Sequence, residues 1–134
     1  RRSTAAWRSR KDSSMLLTRD QILKCEDIQV EKVDIPEWGG YVFVKGMSGK
    51  ERGQLEASMS LMKGAYKEDN WKLYRAKLLV LTVVDSETNG NRIFSEDDVN
   101  ALNEKSAAVL DRLTDVAQRL SGYRKQDVEE ITKN

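Results

Sequence analysis

The chain has 134 residues, 39% of them hydrophobic and 34% charged, the size and make-up of one soluble globular domain with a modest core. Its longest apolar run, Leu78 to Val84, is interrupted by Thr82 and falls far short of the ~20 residues that span a bilayer, so no membrane segment is expected. The net charge of +1 is uneven: Arg1 to Ser14 hold five basic groups and one acidic, while the rest interleaves 18 basic with 21 acidic, which argues against a nucleic-acid-binding face.

Residues 1–14 have no apolar periodicity and no initiator methionine, and Met15 looks like the natural start. The expected division is therefore a disordered leader or cloning scar over 1–14 and a single domain over 15–134. Thr18 and Gln21 have the spacing of a capping box. They open a short amphipathic helix whose Ile22 and Leu23 are expected to face inward, with Leu16 or Leu17 stapling its entry. A strand follows from about Ile28 to Ile35, since Val33 and Ile35 alternate with Lys32 and Asp34. Pro36 ends it. Glu37-Trp38-Gly39-Gly40 makes a turn, with the glycines free to take positive φ, and Tyr41 to Val44 returns as a second strand. The two strands read as a β-hairpin that must pack on helices or on a partner.

Ser48 and Glu51 form a second capping box, opening a helix with Leu55, Met59 and Met62 on one face, closed near Gly64. Asp69 is placed to cap a helix from Trp71 to Val84. Its content of Leu78, Leu79, Leu81, Val83 and Val84 makes it the central core helix, with Leu78 and Leu81 in the core. After a polar loop, Asp85 to Gly90, Ser95 caps a helix holding Val99 and Leu102. A long helix then runs to Ser121 with Leu110, Leu113, Val116, Ala117 and Leu120 on one stripe, and a break near Lys105 is left open. Gly122 is a C-terminal cap, and a short helix covers about Lys125 to Thr132. The fold class is α+β: one N-terminal β-hairpin packed with a mostly helical C-terminal two-thirds.

Enzyme chemistry finds little to work with. There is no histidine, the commonest general base and metal ligand. Cys25 is the single cysteine. It can form neither an internal disulfide nor a Cys–His pair, a usage expected of a cytoplasmic protein. No glycine spacing matches a phosphate loop. The expectation is a protein with no catalytic residues and no cofactor. Asp85 to Glu96 does resemble an EF-hand calcium loop, with Asp85, Glu87, Asn89, Asn91 and Glu96 as the candidate ligands and Gly90 at the turn. Against that, Arg92 stands at a normally apolar position and no sister loop exists. The same residues also serve as a turn between helices, so metal binding is kept only as a weak alternative. Trp38 at the hairpin end either folds back onto the sheet or anchors a partner, since tryptophan is enriched at binding hot spots. Trp38, Tyr41 and Phe43 are the candidate partner-binding residues.

From Met15 onward the order of elements resembles the siphophage tail assembly chaperones. The resemblance is carried by MLLTRDQIL, by EKVDIPEWGGYVFVKGMSGKER, by LVLTVVDSETNGNRIFSEDDVNAL, by KSAAVLDRLTDVAQRLSG and by the closing DVEEITKN. It implies a non-enzymatic role in the infected host's cytoplasm: binding the tape measure protein, keeping its apolar helices soluble and helping to recruit the tail tube protein. It also implies absence from the mature virion and a frameshifted long form of the chain as a further partner, this chain being the short form. A homo-oligomer is compatible with that role. No nucleic acid, membrane or cofactor is implied. A structural tail component, such as a terminator or connector subunit, is the alternative reading, with a single EF-hand calcium binder behind it.

Overall fold

The computed structural model describes residues 15–60 and 72–123. The leader, the expected caps at Gly64 and Asp69, Met62, and the expected C-terminal helix lie outside the described residues.

Two six-residue strands, β1 (Val30–Ile35) and β2 (Gly40–Lys45), pair antiparallel with Val33 opposite Val42 and Ile35 opposite Gly40. Pro36, without an N–H to donate, starts a short 3-10 turn over Pro36–Trp38. Only Gly39 takes the left-handed conformation, at φ 81°, and Gly40 already belongs to the strand. Alternation then sorts the side chains. Val33, Ile35 and Val44 are buried and Val42 packs against the same core, whereas Lys32, Asp34 and Tyr41 are exposed on the other face.

The helical part wraps the inner face. Helix α1 (Arg19–Lys24) stands before the hairpin. Helices α2 (Gly49–Ser60), α3 (Tyr74–Thr82), α4 (Val99–Asn103) and α5 (Ala107–Leu120) follow it. Leu78 and Leu79 of α3 and Val109 and Leu113 of α5 are almost wholly shielded from solvent and form one cluster with Ile35 and Val44 of the sheet. Leu81 is half-buried and packs at the margin of that cluster. The Tyr74 hydroxyl accepts from Gln118 Nε2 at 3.1 Å, joining α3 to α5 inside the core. Arg52 of α2 lies 4.0 Å over the Tyr123 ring, whose hydroxyl donates to Glu56 at 3.2 Å. Those contacts tie α2 to the end of α5.

Two expectations are corrected. Helix α3 stops at Thr82, and Val83–Val84 forms a third strand, β3, giving the sheet order β1-β2-β3. Val44 faces Val83 and Phe43 faces Val84. Thr82, Val83 and Val84 are all β-branched, which restricts them in a helix and suits them to a ladder, and β2 had an unpaired edge to offer. Ile22 and Leu23 do not face inward: they are 55% and 67% exposed, and Leu16 staples nothing at 92%. The Thr18–Gln21 capping box is present in both directions, at 3.2 and 2.9 Å. It fixes a helix of local origin, but α1 buries no residue. The other start and stop signals that fall on described residues stand. Ser48 and Glu51 cap each other at 3.1 and 3.0 Å, Ser95 caps the turn before α4, and Gly122 closes α5 at φ 86°. The open question near Lys105 is answered by a break between Asn103 and Ala107.

Candidate functional site

The hairpin brings two of the three candidate binding residues together. Tyr41 and Phe43 are two apart on β2, so both project from the outer face. Their rings meet edge-to-face, 5.5 Å between centroids at 84°, a favoured aromatic geometry. Lys32, on the neighbouring strand, sets its Nζ 4.3 Å above the Tyr41 ring. Tyr41 remains 54% exposed and Phe43 is half-buried. Val84 stands opposite Phe43 and is buried on this same side. The loop after it lies close: a Cβ on Gly90 would come within 3.0 Å of Val84 Cβ and 2.5 Å of Ser86 O.

Trp38 sits apart from that pair. At the end of the 3-10 turn it lines the mouth of a dent of about 440 Å³ together with Ile93, Phe94, Ala101 and Leu102. Trp38 is 37% exposed and Ile93 46%, so the dent offers apolar surface to solvent. Its neighbour Glu37 is clasped by Arg112 of α5. The Arg112 hydrogen bonds hold the Glu37 carboxyl well below the usual carboxylate range, at about 2.

The loop read as a weak calcium candidate is closed by its own backbone. Asp85 Oδ1 accepts from Asn91 N–H at 2.9 Å, and Asp85 N–H donates to Asn91 O at 3.0 Å. Asn89 turns the chain at φ 53°, and Glu96 belongs to the 3-10 turn before α4. Among the described residues no three His, Cys, Asp or Glu side chains gather as a cation site. Arg92 reaches away to Glu51 Oε2 at 2.7 Å, while Lys45 takes Oε1 at 2.6 Å. Burial opposes the Glu51 charge, yet the bonds from Lys45, Arg92 and the Ser48 N–H outweigh it and bring that carboxyl down to about 2.

Two features with apolar side chains open to solvent escaped sequence reasoning. One is a groove of about 760 Å³ between α2, α3 and the segment before α4, lined by Leu55, Leu73, Val80, Leu81 and Phe94 among others. The other is the exposure of Met15, Leu16, Leu17, Ile22, Leu23 and Ile28, each a large apolar side chain open to solvent. The amphipathic pattern of α1 was visible, but a pattern marks an apolar face without saying what covers it. Among the described residues no helix is long and apolar enough to cross a membrane.

No curated protein is similar enough in sequence to count as a match. The structure is similar to that of the bacteriophage HK97 tail assembly chaperone, with a TM-score of 0.55 and 21% identity over 75% of this chain and 94% of that one; at that identity the likeness speaks to the fold. The phage tail assembly chaperone family matches residues 19–134 in sequence. With that match spanning most of the sequence, the chain belongs to the phage tail assembly chaperone family.

Proposed function

We propose that this chain binds the tape measure protein of its phage, keeps that protein's apolar helices soluble in the host cytoplasm, and helps bring tail tube subunits to it. It acts by binding rather than by catalysis, has the frameshifted long form of itself as a further partner, and does not stay in the mature virion. The observation that carries this reading is the family match over residues 19–134. A chaperone needs apolar surface outside its own core, and exposed Trp38 and Tyr41 with half-buried Phe43 offer it. The sequence without histidine and with a single cysteine fits a binding role.

The test is co-expression of the tape measure protein encoded in the same phage genome, with and without this chain, followed by isolation of any complex. The expected result is a larger soluble fraction of the tape measure protein and a complex that survives purification. No gain in solubility and no complex would overturn the reading. Tail tube protein added to the purified complex, but not to the tape measure protein alone, should be retained.

A further inference from the structure

The turn after β3 joins an asparagine to a glycine, Asn89 and Gly90, the one such pair in the sequence. The fold asks for both. Asn89 stands at φ 53°, in the left-handed region that asparagine enters more readily than most residues. A Cβ on Gly90 would come within 2.5 Å of Ser86 O and 2.9 Å of Ser86 N, so the position suits glycine alone. Asn89 is exposed in that turn. Among the described residues, neither its side-chain amide nor the Gly90 N–H makes a hydrogen bond.

An asparagine side chain and the next main-chain nitrogen are spaced to close a ring. Closure needs rotation about the Cα–Cβ and Cα–C bonds of the asparagine, and a Cβ on the next residue crowds the nitrogen's approach. Gly90 has no Cβ, and no hydrogen bond holds either reacting group. We propose that Asn89 is a site of spontaneous deamidation. The Gly90 nitrogen gives its proton to a solvent base and bonds to the Asn89 Cγ. The Cγ–Nδ2 bond breaks, Nδ2 takes up a proton, and ammonia leaves behind a cyclic imide. Water then adds to one of the two imide carbonyls. Addition at Cγ leaves aspartate. Addition at the main-chain carbonyl leaves isoaspartate, with the chain running on through Cβ and Cγ.

The two products meet the fold differently. Aspartate keeps the backbone path and adds a charge in solvent. Isoaspartate lengthens the main chain by a carbon inside a loop that is closed on both legs. Asp85 and Asn91 hold each other there at 3.0 and 2.9 Å, and Ile93 N–H donates to Val83 O at 3.3 Å. The added carbon also moves Gly90 from its place against Ser86. The isoaspartyl chain therefore loosens the leg that carries Arg92 to Glu51, and it is less stable than its parent.

The experiment incubates the full, folded chain at neutral and at mildly alkaline pH and maps its peptides by mass spectrometry. An isoaspartate-specific methyltransferase with a labelled methyl donor marks the isoaspartyl product. The expected result is loss of the Asn89 amide, faster at the higher pH, while those of Asn91, Asn100 and Asn103 stay intact. Asn89→Gly, which suits the left-handed position, takes up no label in the corresponding peptide. The isolated isoaspartyl fraction melts below the parent, whereas Asn89→Asp melts close to it. An Asn89 amide as durable as those of Asn91, Asn100 and Asn103 overturns the proposal. So does a loss seen only when the chain is held unfolded in denaturant. An isoaspartyl fraction that melts with the parent overturns the loosening of the Arg92 leg.

Discussion

Arg112 grips both carboxylate oxygens of Glu37, at 2.9 and 2.7 Å, although the two residues lie 75 positions apart. One residue further on is Trp38. Two helical turns along the same helix, Arg119 takes Glu31 of β1 at 2.9 Å. Helix α5 thus meets the hairpin at both ends: Arg112 by a guanidinium–carboxylate fork, a geometry that fixes orientation as much as it supplies energy, and Arg119 through one nitrogen shared by both Glu31 oxygens.

The Glu37 contact has a direct spectroscopic consequence. Followed by NMR through its side-chain carboxyl carbon, Glu37 should titrate near about 2 in the native chain. In Arg112→Ala the midpoint should return toward the ordinary glutamate value of about 4.3. A native midpoint already in that ordinary range would mean the fork is not held in solution.

Glu51, the less exposed of the two depressed carboxyls, contributes acid sensitivity to the fold. Its pKa is about 2 in the folded chain against a reference of 4.5. A depressed folded value means that the unfolded chain takes up the proton first. The stabilisation is whole above pH 4.5 and is lost as pH falls from there through about 2. Melting temperature should drop across that window, and Glu51→Gln should flatten the drop. The same substitution should cost about 1.5–3 kcal/mol at neutral pH, the range for hydrogen bonds to a charged group. Equal slopes for the two proteins would remove Glu51 from the account.

Core and margin should separate cleanly on α3. Leu78 is fully shielded while Leu81 is half-buried at the groove beside α2. Leu78→Ala should cost about 2–5 kcal/mol in denaturant unfolding, and Leu81→Ala clearly less, because its cavity opens to water. Equal losses would show that the groove is filled in solution.

How much of this could be read from the residues depends on the range of the signal. Caps at Thr18, Ser48, Ser95 and Gly122, the stop at Pro36 and the alternation around Val33 are local, and all were legible. The fate of Val83 and Val84 was not, because whether a β-branched pair ends a helix or joins a sheet depends on β2 being alongside. Gly46 is a similar case. A Cβ there would run into the backbone carbonyl of Leu120, so the glycine lets the end of β2 pass against the end of α5, far away in the chain. Ile22 and Leu23 failed for the opposite reason: their pattern was correct, but no element of the described chain lies over them. Of the candidate site, Tyr41 and Phe43 were predictable as a pair from their spacing. The separation of Trp38 from them was not, since it follows from where α4 packs.

That separation sets the last expected result. Tyr41 and Phe43 share the outer face of the sheet, whereas Trp38 borders the dent beside α4. If a partner engages both, Trp38→Ala and Tyr41→Ala remove anchors in different surroundings, one at the dent and one on the sheet face. Truncating a central aromatic anchor commonly costs about 2 kcal/mol, roughly a thirtyfold weakening. If the tape measure protein is that partner, as proposed, each variant alone should show a loss of that order in its affinity, measured on folded protein. The double variant should show the sum within about 0.5 kcal/mol, as separated sites do. A double variant no weaker than the worse single one would place both rings on one continuous contact. A Trp38→Ala variant that binds as tightly as the parent would confine the partner to the sheet face, with Tyr41 and Phe43 as its only aromatic anchors among these three.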